Sequence, residues 1–108
     1  MGVAKAALES SVRYLAADLG QDGIRVNAIS AGPMRTLAGA VIGSARTTFK
    51  YNQKTAPLQR TVELEELGGA GLYLLSDLGG AVTGEIHYVD CGFNAVGMIP
   101  HDALKEFG

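Results

Sequence analysis

Apolar side chains return every three or four residues at the start of the chain: Ala4, Leu8, Val12, Leu15 and Leu19 fall on one stripe, which predicts an amphipathic helix over 3–19. Lys5, Glu9 and Arg13 fall four apart, so opposite charges can pair along its polar side. Gly20 stands where a left-handed C-cap belongs, and Gly20-Gln21-Asp22-Gly23 reads as a turn. The period then changes to two. Ile24, Val26 and Ala28 alternate with Arg25 and Asn27, predicting a half-exposed strand over 24–29, which Ser30-Ala31-Gly32-Pro33 ends.

Helical spacing resumes over 37–50 through Ala38, Val41, Ile42, Ala45 and Phe49. Gly39 and Gly43 interrupt it, each costing about 1 kcal/mol relative to alanine, so a weak and mobile helix is expected. Pro57 marks a bend. A further helix is predicted over 64–75, with Glu63, Glu65 and Glu66 at its start, where the helix dipole favours negative charge. Leu64, Leu67, Gly71, Leu74 and Leu75 form its expected inward face, and Gly68, Gly69 and Ala70 would admit a close neighbour. After the Gly79-Gly80 turn, a strand over 84–90 runs through Ile86, Tyr88 and Val89 to Asp90-Cys91-Gly92. From Ile99 onward the pattern is weak and no role is assigned.

Two strands joined by a long helical crossover are expected to pair in parallel with a right-handed connection. Packed α/β sheets typically carry about five or six strands, so two make a poor sheet. Helix 3–19 also has no preceding strand to pack beside. The pattern is that of the second half of a doubly wound α/β domain, with apolar faces of helix 3–19 and of both strands left to be covered.

Composition narrows the function. The 108 residues hold 9 Lys+Arg against 11 Asp+Glu, a net charge of −2, and 47% of them are hydrophobic. That balance argues against nucleic acid or a polybasic membrane surface as a partner, since either needs a cationic excess. A single cysteine excludes an intrachain disulfide framework and a Cys-rich zinc site. No apolar run approaches the ~18 residues of a membrane-spanning helix, and Met1 opens no basic-then-apolar signal segment, so a soluble cytoplasmic protein is expected.

The chemistry-bearing residues admit plain readings on their own. Lys5 alone is a solvated helix lysine facing Glu9. Pro33, Met34 and Thr36 follow the carboxyl end of a strand, where doubly wound folds place ligands but where a simple turn also fits. Ile42, Ala45 and Phe49 suit a core or the wall of an apolar tunnel. Arg46, Lys50 and Lys54 recur every four residues, as a solvated face or a basic docking stripe. His87 and His101 lack a second ligand at metal spacing, so no metal is expected. Cys91 has no base nearby in sequence and reads as structural, and Asp90 as the holder of its turn. Despite 15 glycines, no Gly-x-Gly-x-x-Gly lies between a strand and a helix, and no acidic ribose anchor follows one.

Three segments are more specific. Met1-Gly-Val-Ala-Lys-Ala-Ala-Leu-Glu resembles the start of the catalytic helix in short-chain dehydrogenase/reductases, in the Val-Ala-Lys form of the bacterial enoyl-acyl-carrier-protein reductases. Ser30-Ala-Gly-Pro-Met-Arg-Thr36 is close to a signature of the same reductases, whose classical relatives tend to show Pro-Gly-x-x-x-Thr. Gly84-Glu-Ile-His-Tyr-Val-Asp-Cys-Gly-Phe93 is similar to the last strand and its Asp-Gly-Gly turn, with Cys91 in place of a glycine.

That resemblance implies the C-terminal portion of a Rossmann-like doubly wound parallel-sheet domain over residues 1–98, with 99–108 as a tail. It implies NADH-dependent reduction of the trans-2 double bond of an acyl-carrier-protein thioester in fatty-acid elongation. Lys5 matches the family lysine that holds the nicotinamide ribose. The Met34 backbone and the Thr36 hydroxyl match contacts to the carboxamide and pyrophosphate, and Leu37 and Ala38 continue that segment. Residues 37–50 match the substrate loop, with Ile42, Ala45 and Phe49 along the acyl chain; Arg46, Lys50 and Lys54 would meet acyl carrier protein. The catalytic tyrosine would lie seven residues before Lys5, ahead of Met1. None of Tyr14, Tyr51, Tyr73 and Tyr88 has a lysine at that offset, so the polypeptide alone is expected to be inactive. The family also implies a homotetramer. A 3-oxoacyl or other ketone reductase of the same superfamily, or a non-catalytic assembly module, are the alternatives.

Overall fold

The computed structural model describes residues 1–34 and 43–96, the side chains of 43–45 excepted. Its regular elements are α1 (Gly2–Leu19), β1 (Ala28–Ala31), α2 (Gly43–Thr55), α3 (Leu64–Leu75) and β2 (Ile86–Val89). Both strands form one two-stranded sheet. Ala28 N–H donates to the Glu85 carbonyl and Gly32 N–H to that of Val89, an equal advance of four residues on both strands, so the pairing is parallel.

α1 fills the helix expected from the period, but its end differs. Gly20 is right-handed, and the chain runs on through a tight turn over Gly20–Asp22 until Gly23 supplies the left-handed residue at φ 74°. Two glycines bracket this turn in sequence, and the cap falls on the later one because the helix tightens before it stops. β1 is shifted towards its carboxyl end relative to the expected 24–29. Residues 24–27 run alongside the second strand segment, but side chains take the places of a regular ladder. Val26 N–H donates to the Thr83 hydroxyl, and Asn27 bridges the Val82 carbonyl (2.9 Å) and the Glu85 N–H (3.0 Å). Likewise β2 is shorter than the expected 84–90.

α2 carries on past Lys50 to Thr55; residues 37–42, with the expected interruption at Gly39, lie outside those described. α3 coincides with the expected helix. Its start is fixed by Glu66, whose carboxylate accepts the Glu63 N–H at 2.9 Å, the reciprocal half of a capping box. The inward face of α3 is narrower than its period implied. Leu74 is buried, while Leu64 is 72% and Leu75 87% exposed. A leucine stripe sets the direction an apolar face would take, but burial needs a neighbour, and none of the described residues covers these two.

The described residues belong to two compact units, Met1–Ser30 with Gly68–His87, and Ala31–Leu67 with Tyr88–Gly108. In the first, Val12 and Ala16 of α1 and Leu74 of α3 are buried. Arg25 ties the loops of this unit together by donating to the Val82 and Ser76 carbonyls at 3.1 and 3.2 Å. In the second, Ala56 and Val62 are buried with Asn52 and Thr55, whose side chains return hydrogen bonds to the Thr48 and Tyr51 carbonyls. No helix among the described residues is long and apolar enough to cross a membrane.

Asn27 is half-buried and serves two backbone groups of the opposite segment; an alanine would leave the Glu85 N–H unpartnered and the Val82 carbonyl with Arg25 alone. Asn27→Ala is expected to cost about 1–3 kcal/mol, read as a lowered urea midpoint.

Candidate functional site

The carboxyl end of β1 leads directly into Gly32-Pro33-Met34. Gly32 is there for space: a Cβ on it would stand 3.1 Å from the Asp90 Cα and 3.2 Å from its Cβ. A side chain at position 32 would therefore crowd the two strand ends and require a shift of a few tenths of an ångström. Pro33 then fixes φ near −65° and delivers the Met34 peptide in one direction. Both residues are half-buried.

Opposite them, the end of β2 turns sharply. The Asp90 carboxylate accepts the N–H groups of Gly92 and Asn94, each at 3.0 Å, and its carbonyl accepts that of Phe93 at 3.2 Å. Cys91 and Gly92 follow each other in the left-handed region, at φ 59° and 88°. Gly92 lies under Pro57, whose Cγ would stand 2.8 Å from a Cβ at that position. Cys91 is half-buried, and that burial pushes its thiol up from the ordinary value, against a smaller opposing pull from Arg60. A raised thiol suits a structural cysteine, since the thiolate is the reactive form.

Beside this turn opens a cavity of about 370 Å³, lined by Leu58, Arg60, Val62, Glu66, Tyr88 and Cys91 among others. Arg60 and Glu66 form a forked pair on its rim, with both N–H···O distances 2.7 Å. The Arg60 hydrogen bonds first, and the Glu63 N–H second, hold the Glu66 carboxyl down at about 2. Of Glu63, Glu65 and Glu66, it is the Glu66 carboxylate that is engaged at the start of α3. Among the described residues no group of three His, Cys, Asp or Glu side chains could hold a metal ion.

The expected site residues are distributed as follows. Lys5 lies exposed near the start of α1, in the first unit. Met34, Arg46, Phe49, Lys50 and Lys54 belong to the second. Arg46, Lys50 and Lys54 are exposed on α2, and because that helix continues to Thr55 they share one face. Phe49 is half-buried on the same helix. Thr36, Leu37, Ala38 and Ile42 lie outside the described residues, as does the Ala45 side chain. The linkage of Gly32, Asp90, Gly92 and Pro57 is absent from the expectations above; Asp90-x-Gly92 after a strand was its one local signal.

Parallel strands with a helical crossover, and a Gly-Pro turn at a strand's carboxyl end, define part of a doubly wound α/β enzyme domain, which binds ligands at that end of its sheet. The comparisons narrow this class. The family model described as Enoyl-(Acyl carrier protein) reductase matches residues 1–94, and the chain belongs to that family. It is 65% identical over 105 residues to enoyl-[acyl-carrier-protein] reductase [NADH] 2 of Rhizobium meliloti, covering 97% of this chain and 39% of the relative. Among solved structures, the Anaplasma phagocytophilum enoyl-(acyl-carrier-protein) reductase in complex with NAD is 57% identical, with a TM-score of 0.88 over 93% of this chain and 38% of that one. The Aquifex aeolicus NADH enzyme is 43% identical with a TM-score of 0.84, covering 90% and 37%. The chain thus spans less than two-fifths of the length of these relatives.

Cys91 occupies a backbone position that suits glycine. A left-handed non-glycine residue costs about 1–2 kcal/mol, and glycine's extra flexibility returns about half of that. Cys91→Gly is therefore expected to stabilise the chain by about 0.5–1 kcal/mol in urea unfolding, with no comparable gain for Cys91→Ala.

Proposed function

We propose that these residues form the nicotinamide- and acyl-binding side of an NADH-dependent enoyl-acyl-carrier-protein reductase. One observation carries the reading: within the family match over residues 1–94, Lys5 stands exposed near the start of α1, and Met34 directly follows Gly32-Pro33 at the carboxyl end of β1. A side-chain cation and a peptide aimed from a strand end are donors that suit ribose hydroxyls and a carboxamide. NADH would supply the hydride.

On this reading Lys5 orients the ribose, and its charge favours the oxyanion that develops on the thioester carbonyl. The Met34 peptide orients the carboxamide, and Thr36, Leu37 and Ala38 extend the cofactor contact. Ile42, Ala45 and Phe49 exclude water from the acyl chain. Proton delivery is assigned to no group here. The exposed Arg46–Lys50–Lys54 face of α2 would meet acyl carrier protein, whose surface is acidic. Residues 1–98 act as one part of the catalytic domain with 99–108 as its tail, in a cytoplasmic homotetramer.

Replacing the 105-residue segment that this chain matches in the Rhizobium meliloti reductase gives a chimaera in which these roles can be measured. The chimaera is expected to oxidise NADH with an enoyl thioester. Lys5→Ala should lower kcat/KM by about a hundredfold or more and weaken NADH binding, the scale of losing one oxyanion-stabilising group. Undiminished turnover would remove Lys5 from the site.

Reversing Arg46, Lys50 and Lys54 to glutamate tests the docking face separately. KM should rise by about tenfold for the carrier-protein substrate and stay nearly constant for the coenzyme A thioester. Equal effects on both would argue against docking.

A further inference from the structure

We propose that Asp90 is a positioning residue that holds, through one turn, both the Gly32-Pro33-Met34 segment and the carboxyl end of α2. The functional consequence rests on the reading of Met34 and α2 given above; the linkage itself rests on geometry within one compact unit.

On one side of the turn, Gly32 donates its N–H to the Val89 carbonyl at 3.0 Å and lies against the Asp90 backbone, where a Cβ would be crowded at 3.1 Å. On the other, the Cys91 carbonyl accepts the Leu58 N–H at 3.2 Å, three residues past the end of α2. Gly92 is seated under Pro57, and the Phe93 ring meets Tyr51 of α2 edge-on, with centroids 6.3 Å apart. What aims these contacts is the path of residues 91–94, two of them left-handed in succession. Among the described residues, the two oxygens of the Asp90 carboxylate, on the Gly92 and Asn94 N–H groups, are what grips that path from a side chain. If the carboxylate is lost, the Cys91–Gly92 peptide is free to rotate. The Leu58 bond and the Pro57 seat then loosen on one side, and the Gly32 approach on the other. The proposed cofactor contact at Met34 and the acyl-facing helix α2 are therefore set by the same carboxylate.

Amide hydrogen exchange on this chain tests the linkage without any activity. Asp90→Ala should speed exchange at the Gly32 and Leu58 N–H groups together by about tenfold or more, as expected for losing hydrogen bonds to a charged group. Exchange at Ala28, bonded to Glu85, should be unaffected. Asp90→Asn keeps the acceptor for Gly92 and loses the one for Asn94, so it should fall between wild type and alanine. Should Asp90→Ala fail to fold, Asp90→Asn and Gly92→Ala carry the same comparison. Quickening at Leu58 alone, or at neither amide, overturns the proposal.

In the chimaeric reductase, Asp90→Ala should raise KM for NADH and for the enoyl thioester together while kcat holds within about threefold, with Asp90→Asn recovering part of the loss. A fall in kcat with both KM values unchanged also overturns it. An inert unsubstituted chimaera would refute the functional reading and leave the exchange measurement to decide the linkage.

Discussion

Parallel pairing of β1 with β2 brings Gly32 onto the backbone of Asp90, and the rest of the second unit follows from that approach. A side chain at position 32 would push the strand ends apart, because a Cβ there already lies 3.1 Å from the Asp90 Cα. With the gap closed, Pro33 leaves the sheet in a fixed direction, and the Asp90 carboxylate is placed to fold the following residues over Pro57. The residues involved, 32, 57–58 and 90–92, come from three separated stretches of sequence. Their contacts meet at one turn, which links a strand end to a helix end.

Local patterns were legible where local physics decides. α3 is bounded in sequence by Glu63, Glu65 and Glu66, and its capping hydrogen bond spans only three residues, so its limits could be read directly. The 3–19 helix was legible for the same reason, whereas its stop was not. Gly20 and Gly23 are both plausible caps, and the choice depends on whether the last turn tightens. The strand over 24–29 was displaced because Asn27 and Thr83 insert side-chain hydrogen bonds where alternation assumes backbone pairing. Periodicity also overstated burial. Leu64 and Leu75 lie on the apolar stripe of α3 yet remain exposed, since a stripe specifies a face and not its neighbour. Lys5 and Met34 could be singled out from sequence because they sit in contiguous motifs. Asp90 was legible as the holder of its own turn, whose partners are two and four residues on, but the contacts of that turn with Gly32, Pro57 and Leu58 were not, because they lie more than 30 residues away along the chain.

Charge in the second unit is unevenly distributed. Glu66 is committed to Arg60 and to the Glu63 N–H, a pairing strong enough to keep its carboxyl ionised well into the acid range. α2 contains no acidic residue, and its three cations share one exposed face. A net charge of −2 for the whole chain conceals this segregation. Steering of an acidic partner depends on the local field of a face and much less on the sum over the molecule, so near-neutral composition is compatible with a specific basic contact. The turn at Asp90–Phe93 anchors the helix that bears this face, through Leu58, Pro57 and Tyr51. A rigid anchor matters for such a face because three charges spaced by helical turns act in concert only while the helix holds its orientation. The same backbone economy that lets Gly32 approach Asp90 thus sets the geometry of a surface formed by different residues altogether.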